Sequence, residues 1–166
     1  MLRLILMRHA KSDWSHAGLS DHDRPLNARG RASAMALGDW LRENHYLPDE
    51  VLCSSAQRTG ETLSGLDLGP ETTTEFTKAL YLAEPRVMLE TLSTATRRCV
   101  LMIGHNPGIC EMANGLVDEP PSHPRFADYP TGATLVCDFS APRWSEVNWH
   151  TGQVVDFTIP RELTAT

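Results

Sequence analysis

The chain has 166 residues, 41% of them hydrophobic and 22% charged, with a formal net charge of -6. That length suits one domain with a sizeable core, and residues 1–166 are read as a single domain. The acidic balance argues against a nucleic-acid or membrane surface, although it leaves room for a local basic pocket.

The first informative stretch is Leu2-Arg3-Leu4-Ile5-Leu6-Met7, which is almost all apolar. A short run of this kind predicts a strand covered on both faces, as in a central parallel sheet, although periodicity alone does not separate it from a buried helix. It stops on Arg8-His9, where such a strand would leave the core. Ligands bind at the carboxyl ends of strands in open α/β sheets. No signal peptide or bilayer-spanning stretch is expected, because the apolar run is too short and is cut by Arg8 and His9.

A polar loop follows from Lys11 to Leu26, with Trp14, His16, His22 and the cluster Asp21-His22-Asp23-Arg24. A loop this long often carries function. Asn27 reads as a helix N-cap, and Ala34, Leu37 and Leu41 give helical spacing over Ala28 to His45. Asp49 to Cys53 reads as a second strand, ending on Ser54-Ser55-Ala56-Gln57-Arg58 and a helix to about Leu66. Thr72 to Phe76 is a candidate short strand, and Arg86 to Thr94 a helix. Arg98 to Ile103 is the second continuous apolar strand and runs into Gly104-His105-Asn106-Pro107-Gly108, where Pro107 opens a helix to about Leu116. Asp118 to Thr131 should be loop. Ala133 to Phe139 and Gln153 to Ile159 read as strands near a sheet edge, with Trp144 and Trp149 covering that edge. The tail from Arg161 is expected to fray.

The four cysteines, Cys53, Cys99, Cys110 and Cys137, form no C-x-x-C or zinc spacing. Buried free thiols in a reducing cytosol are the natural reading. His16, His22 and Asp23 lack a recognisable ligand pattern, and no metal site is expected.

Strand, turn and helix thus repeat three times, and the strand ends carry Arg8-His9, Arg58 and His105. Two arginines and two histidines at one sheet edge make a phosphate site by simple chemistry. The arginines neutralise the oxygens through charge-assisted hydrogen bonds. One neutral imidazole attacks phosphorus, and the other stabilises transition-state charge.

The residues that carry this pattern also carry a resemblance. Leu6-Met7-Arg8-His9-Ala10-Lys11-Ser12-Asp13-Trp14 resembles the R-H-G/A opening of the histidine phosphatase superfamily, branch 1. The alanine after His9 and the Lys-Ser-x-Trp continuation look like its small SixA-type phosphohistidine phosphatases. Asp23 to Gly30, Ser54 to Thr62, Tyr81-Leu82-Ala83 and Ile103 to Gly108 match further blocks in order. The resemblance implies an α/β fold: a three-layer α/β/α sandwich with a mostly parallel central sheet, phosphoglycerate-mutase-like, in one compact domain.

It also implies roles. His9 matches the phosphorylated nucleophile, Arg8 and Arg58 the phosphate clamp, and His105 the second pocket histidine. No metal or organic cofactor is implied. Larger relatives carry an insertion with an acidic proton donor, and this chain is too short between Thr62 and Arg98 to hold it. Glu84 is the nearest candidate donor, with Asp21 and Asp23 as alternatives. Asp23 is expected to tie down its loop, Arg24 and Arg29 to pair with acidic neighbours, and Asn106 to form a turn. Lys11 either adds positive charge at the mouth or solvates the loop.

The activity this implies is hydrolysis of phosphohistidine on a protein, through a covalent intermediate on His9, in a cytoplasmic monomer. Two alternatives remain open: a phosphomonoesterase acting on a small metabolite phosphate ester, and a non-catalytic phosphoprotein-binding module.

Overall fold

The structure is a computed structural model, which describes residues 1–164. Six strands form one sheet: β1 (Leu2–Arg8), β2 (Glu50–Ser54), β3 (Thr73–Thr77), β4 (Cys99–Gly104), β5 (Thr134–Phe139) and β6 (Gln153–Thr158), in the order β3-β2-β4-β1-β5-β6. The pairs β2–β3, β2–β4 and β1–β4 are parallel, whereas β1–β5 and β5–β6 are antiparallel. The apolar run that opens the chain is therefore an interior strand, flanked by β4 and β5.

Successive side chains of a strand point to opposite faces. On β1, Ile5 and Met7 go to one face with Leu37 and Leu41 of α1 (Ala28–Glu43) and Leu66 of α2 (Gln57–Leu66). Leu2, Leu4 and Leu6 go to the other, with Met88 of α3 (Pro85–Leu92) and Ile109 and Met112 of α4 (Gly108–Leu116). All of these except Leu2 and Met88 are completely buried. A strand sandwiched on both sides has no solvent face, which is why its sequence does not alternate. The expected three-layer α/β/α architecture is the one observed.

Helix α1 starts where expected: the Asn27 side chain accepts a hydrogen bond from the Gly30 amide at 2.8 Å. Two expectations need correction. The tail does not fray at Arg161, because Pro160–Thr164 forms a short helix, α5, that lies against α1 with Leu163 packed on the core. Residues 165–166 of that expectation lie outside the described residues. The tryptophans do not cover the sheet edge either. Trp144 is buried against Phe139 and its indole N–H donates to the Arg97 carbonyl, while Trp149 packs against α4 at Gly115. Both rings complete the core on the α3/α4 face.

Among the described residues, no helix is long and apolar enough to cross a membrane. Cys53 and Cys137 are buried and Cys99 and Cys110 partly so, all four as free thiols.

Candidate active site

The carboxyl ends of β1, β2 and β4 meet at one edge of the sheet. There Arg8, His9, Arg58 and His105 line a cavity of about 280 Å³, together with Lys11, Ser12, Trp14, Asp21, Arg24, Leu82, Asn106 and Thr131. His9 follows the last residue of β1. Its amide donates to the Gly104 carbonyl at 3.1 Å, and its carbonyl accepts from the Gly132 amide at 2.9 Å. The next residue, Ala10, is tied to α2: its amide donates to Thr62 Oγ1 at 3.0 Å, and that hydroxyl donates to the Arg58 carbonyl at 2.7 Å. The turn bearing His9 and the helix bearing Arg58 thus share one side chain.

Glycine at two positions permits close approach. A Cβ on Gly30 would lie 2.1 Å from the Lys11 carbonyl oxygen, and one on Gly108 only 1.8 Å from that of Ala83. Both contacts press a helix N-terminus onto a loop of the site.

His9 is 5% exposed, and burial beside two arginines and His105 pushes its pKa down to about 3. The ring is neutral at physiological pH. Its Nδ1 lies 2.7 Å from the Ala10 carbonyl oxygen, which can only accept. The proton therefore sits on Nδ1 and the lone pair on Nε2, the arrangement a nucleophile needs. His105 is 2% exposed, with its ring centroid 5.4 Å from that of His9. Burial and then the Arg58 charge push its pKa down to about 3 as well. Its Nε2 meets Ser54 Oγ at 2.7 Å, and Ser54 is the last residue of β2.

The arginines are anchored from behind. Arg8 donates to the Tyr129 carbonyl at 3.2 Å. Arg58 donates to the Asp21 carbonyl at 2.7 Å and to Asp21 Oδ2 at 3.0 Å. Arg24 donates to Asp21 Oδ1 at 2.9 Å and to Ser12 Oγ at 2.7 Å, and its guanidinium lies 3.4 Å from the centroid of Trp14. Two guanidiniums, those of Arg24 and Arg58, thus converge on one lining carboxylate, Asp21. The Nε atoms of Arg8, Arg24 and Arg58 and Nδ1 of His105 are buried without a protein partner. Burying such groups unpaired is costly, so the site favours an incoming anion.

The four core residues expected from the sequence are therefore brought together. Glu84 is not with them: it is exposed, sits at the N-cap of α3 without capping it, and is absent from the cavity lining. Asp21, which the sequence offers only as an alternative acid, is inside. Hydrogen bonding from Tyr81 and the charges of Arg58 and Arg24 hold its carboxyl below the usual carboxylate range. Asp21 rather than Asp23 is the partner of Arg24, and Asp23 meets His22 at 3.6 Å instead. Arg29 is exposed and has no acidic partner among the described residues. Asn106 does serve the backbone, donating to the carbonyls of Asp128 and Tyr129 at 3.1 Å each.

Tyr81, Ser54, Thr62 and Tyr129 were not assigned roles from sequence. The first three fall inside the matched blocks, so the signal was present without a geometry to interpret it. Tyr129 lies in a loop with no such signal.

Comparison with known proteins identifies the family and the fold. Residues 4–81 match the model of the histidine phosphatase superfamily (branch 1). An uncharacterised protein of Mycobacterium tuberculosis is 33% identical over 162 residues, covering 93% of this chain and all of that one. A candidate phosphohistidine phosphatase SixA from Nakamurella multipartitia superposes with a TM-score of 0.84 at 27% identity, covering 96% of each chain. A second candidate SixA, from Agrobacterium tumefaciens, gives 0.79 at 27% identity over 96% of this chain and 98% of that one. The chain belongs to the histidine phosphatase superfamily, branch 1, and is a SixA-like, phosphatase-class hydrolase with a phosphoglycerate-mutase-like fold.

Proposed function

We propose that this protein hydrolyses phosphohistidine on a protein, through a covalent phosphohistidine on His9. Nε2 of neutral His9 attacks phosphorus, and the P–N bond to the substrate ring breaks. With its other nitrogen protonated, that ring leaves as neutral imidazole. Water then attacks phosphorus and gives up a proton to solvent, the P–N bond to His9 breaks, and inorganic phosphate leaves. Arg8 and Arg58 carry the oxygen charge in both steps. His105 lies against the same group.

The observation that carries the substrate reading is the state of the acid. Asp21 is the one carboxylate among the described lining residues, and it is held ionised by Tyr81, Arg58 and Arg24. An ionised carboxylate has no proton to give. Expelling an alkoxide calls for a general acid. Expelling imidazole does not, since free histidine takes a proton near a pKa of about 6.5. The site is better matched to phosphohistidine than to an alkyl ester.

The test compares kcat/KM for a phosphohistidine substrate and a simple alkyl phosphate, both in a chelating buffer. Phosphohistidine should be turned over much faster, with no loss of rate in chelator. Brief labelling should give an acid-labile, alkali-stable phosphoryl group on His9. A faster alkyl phosphate, or an acid-stable label, would overturn the reading.

A further inference from the structure

A second cavity, of about 760 Å³, adjoins the first and shares Lys11 and Thr131 with it. Its cations are Lys11, Arg29, Arg125 and Arg161, and its described lining includes no carboxylate. Arg125 is engaged by Asp128, with Nη2 to Oδ2 at 3.0 Å. Lys11, Arg29 and Arg161 have no ion-pair partner among the described residues. Beneath the charges, Ala32, Pro130, Ile159 and Pro160 supply apolar surface. In a chain of net charge -6, three unpaired cations on one groove run against the overall balance.

We propose that this groove docks an acidic segment of the protein that presents the phosphohistidine, next to the phosphorylated residue. This rests on the substrate reading above. The phosphate itself belongs to the smaller cavity, where the clamp arginines and His9 are. The groove is more than twice that volume and continuous with it, so it suits chain flanking the phosphorylated residue rather than a second phosphate. Carboxylates would meet Arg29, Arg161 and Lys11, while apolar side chains between them would rest on Pro130 and Ile159. Nucleic acid is the poorer fit, because the rest of the surface would repel it.

Exposed charge contacts are individually weak and act mainly on encounter and affinity. The expected effect is therefore in KM. Two phosphohistidine peptides would be compared, one flanked by glutamates and one by glutamines. The native chain should show a kcat/KM for the glutamate peptide roughly five- to tenfold higher at low salt, shrinking as ionic strength rises. Arg29→Glu with Arg161→Glu should abolish that preference and leave free phosphohistidine turnover within about twofold. Arg29→Gln with Arg161→Gln, a milder pair, should reduce it severalfold. Persistence of the preference in the glutamine pair, or no preference in the native chain, would overturn the proposal.

Fluorescence anisotropy of an unphosphorylated, labelled glutamate-rich peptide separates this from the substrate reading. If neither phosphopeptide is hydrolysed while an alkyl phosphate is, the substrate reading fails. Peptide binding lost in the paired variants would still support the groove as a dock, and equal binding by native chain and variants would refute it. Equally tight binding of an oligothymidylate of matched charge would also refute it, by showing a surface for any polyanion.

Discussion

Acid should destabilise this protein through His9 and His105, and the size of the effect follows from their burial. Both rings are held to a pKa of about 3 in the folded chain. An unfolded histidine titrates near 6.5. Between those values the unfolded state binds more protons, so stability is at its full value above about pH 6.5 and falls as pH falls toward 3. Each unit is worth roughly 1.4 kcal/mol per ring, so pH 5 costs about 2 kcal/mol for each. Water entering the open side of the cavity reduces this, and about 2–4 kcal/mol for the pair is expected. For a domain of this size that is a Tm lower by roughly 5–15 °C. Asp21, held below the ordinary carboxylate range, loses its contribution only at more acidic pH, which leaves the window from pH 8 to 5 to the rings. Thermal melts in phosphate-free buffer at pH 8, 7, 6 and 5 would measure it. The variant with His9→Asn and His105→Asn supplies the background from all other groups, and its Tm should fall less over the same range. Parallel slopes for native protein and variant would refute the argument that burial keeps these rings neutral.

Further outcomes follow from the same geometry. Arg58→Lys should lower kcat by roughly 10²–10³, because lysine cannot make the planar fork that Arg58 presents; near-native turnover would remove Arg58 from the clamp. Asp21→Asn should lower the inhibition constant for inorganic phosphate severalfold by freeing positive charge, while phosphohistidine turnover survives; complete loss of turnover would instead make Asp21 an obligatory acid. Glu84→Gln should leave phosphohistidine kcat/KM within about twofold, since its exposed side chain lies outside the cavity lining. Gly30→Ala should cost a few kcal/mol in denaturant unfolding, because its Cβ would lie 2.1 Å from the Lys11 carbonyl oxygen and must displace that loop.

The sheet was legible because its strands announce themselves. β1 and β4 are short continuous apolar runs, the pattern a strand buried on both faces carries, and their shortness before a polar or glycine stop sets them apart from a buried helix. The strand ends were legible for the same reason, since each run stops on a functional side chain. What the sequence could not supply was the third dimension of the loop from Lys11 to Leu26. Asp21 and Asp23 stand two residues apart with similar neighbours, and a short 3₁₀ turn over Asp21–Asp23 decides which one faces Arg58. Glu84 looked suitable because it follows the Tyr81 block. The chain direction there places Tyr81 against Asp21 and leaves Glu84 outside. The tail was misread because five residues hold too little pattern to declare a helix, and α5 depends on contact with α1.

The stretch before β5 has a consequence for anyone who would graft or insert sequence into this scaffold. Surface loops are ordinarily the safe places to lengthen a chain. This one ends on Tyr129, a fully buried phenol whose hydroxyl accepts from the Leu135 amide at 3.1 Å and donates to the Leu6 carbonyl, while its own carbonyl holds Arg8. The ring is a peg driven between β1 and β5. Residues 118–122 offer slack for an insertion, being largely exposed. An added residue between Arg125 and Gly132 would draw the peg and turn the Arg8 guanidinium, silencing the enzyme without altering any of its four core residues.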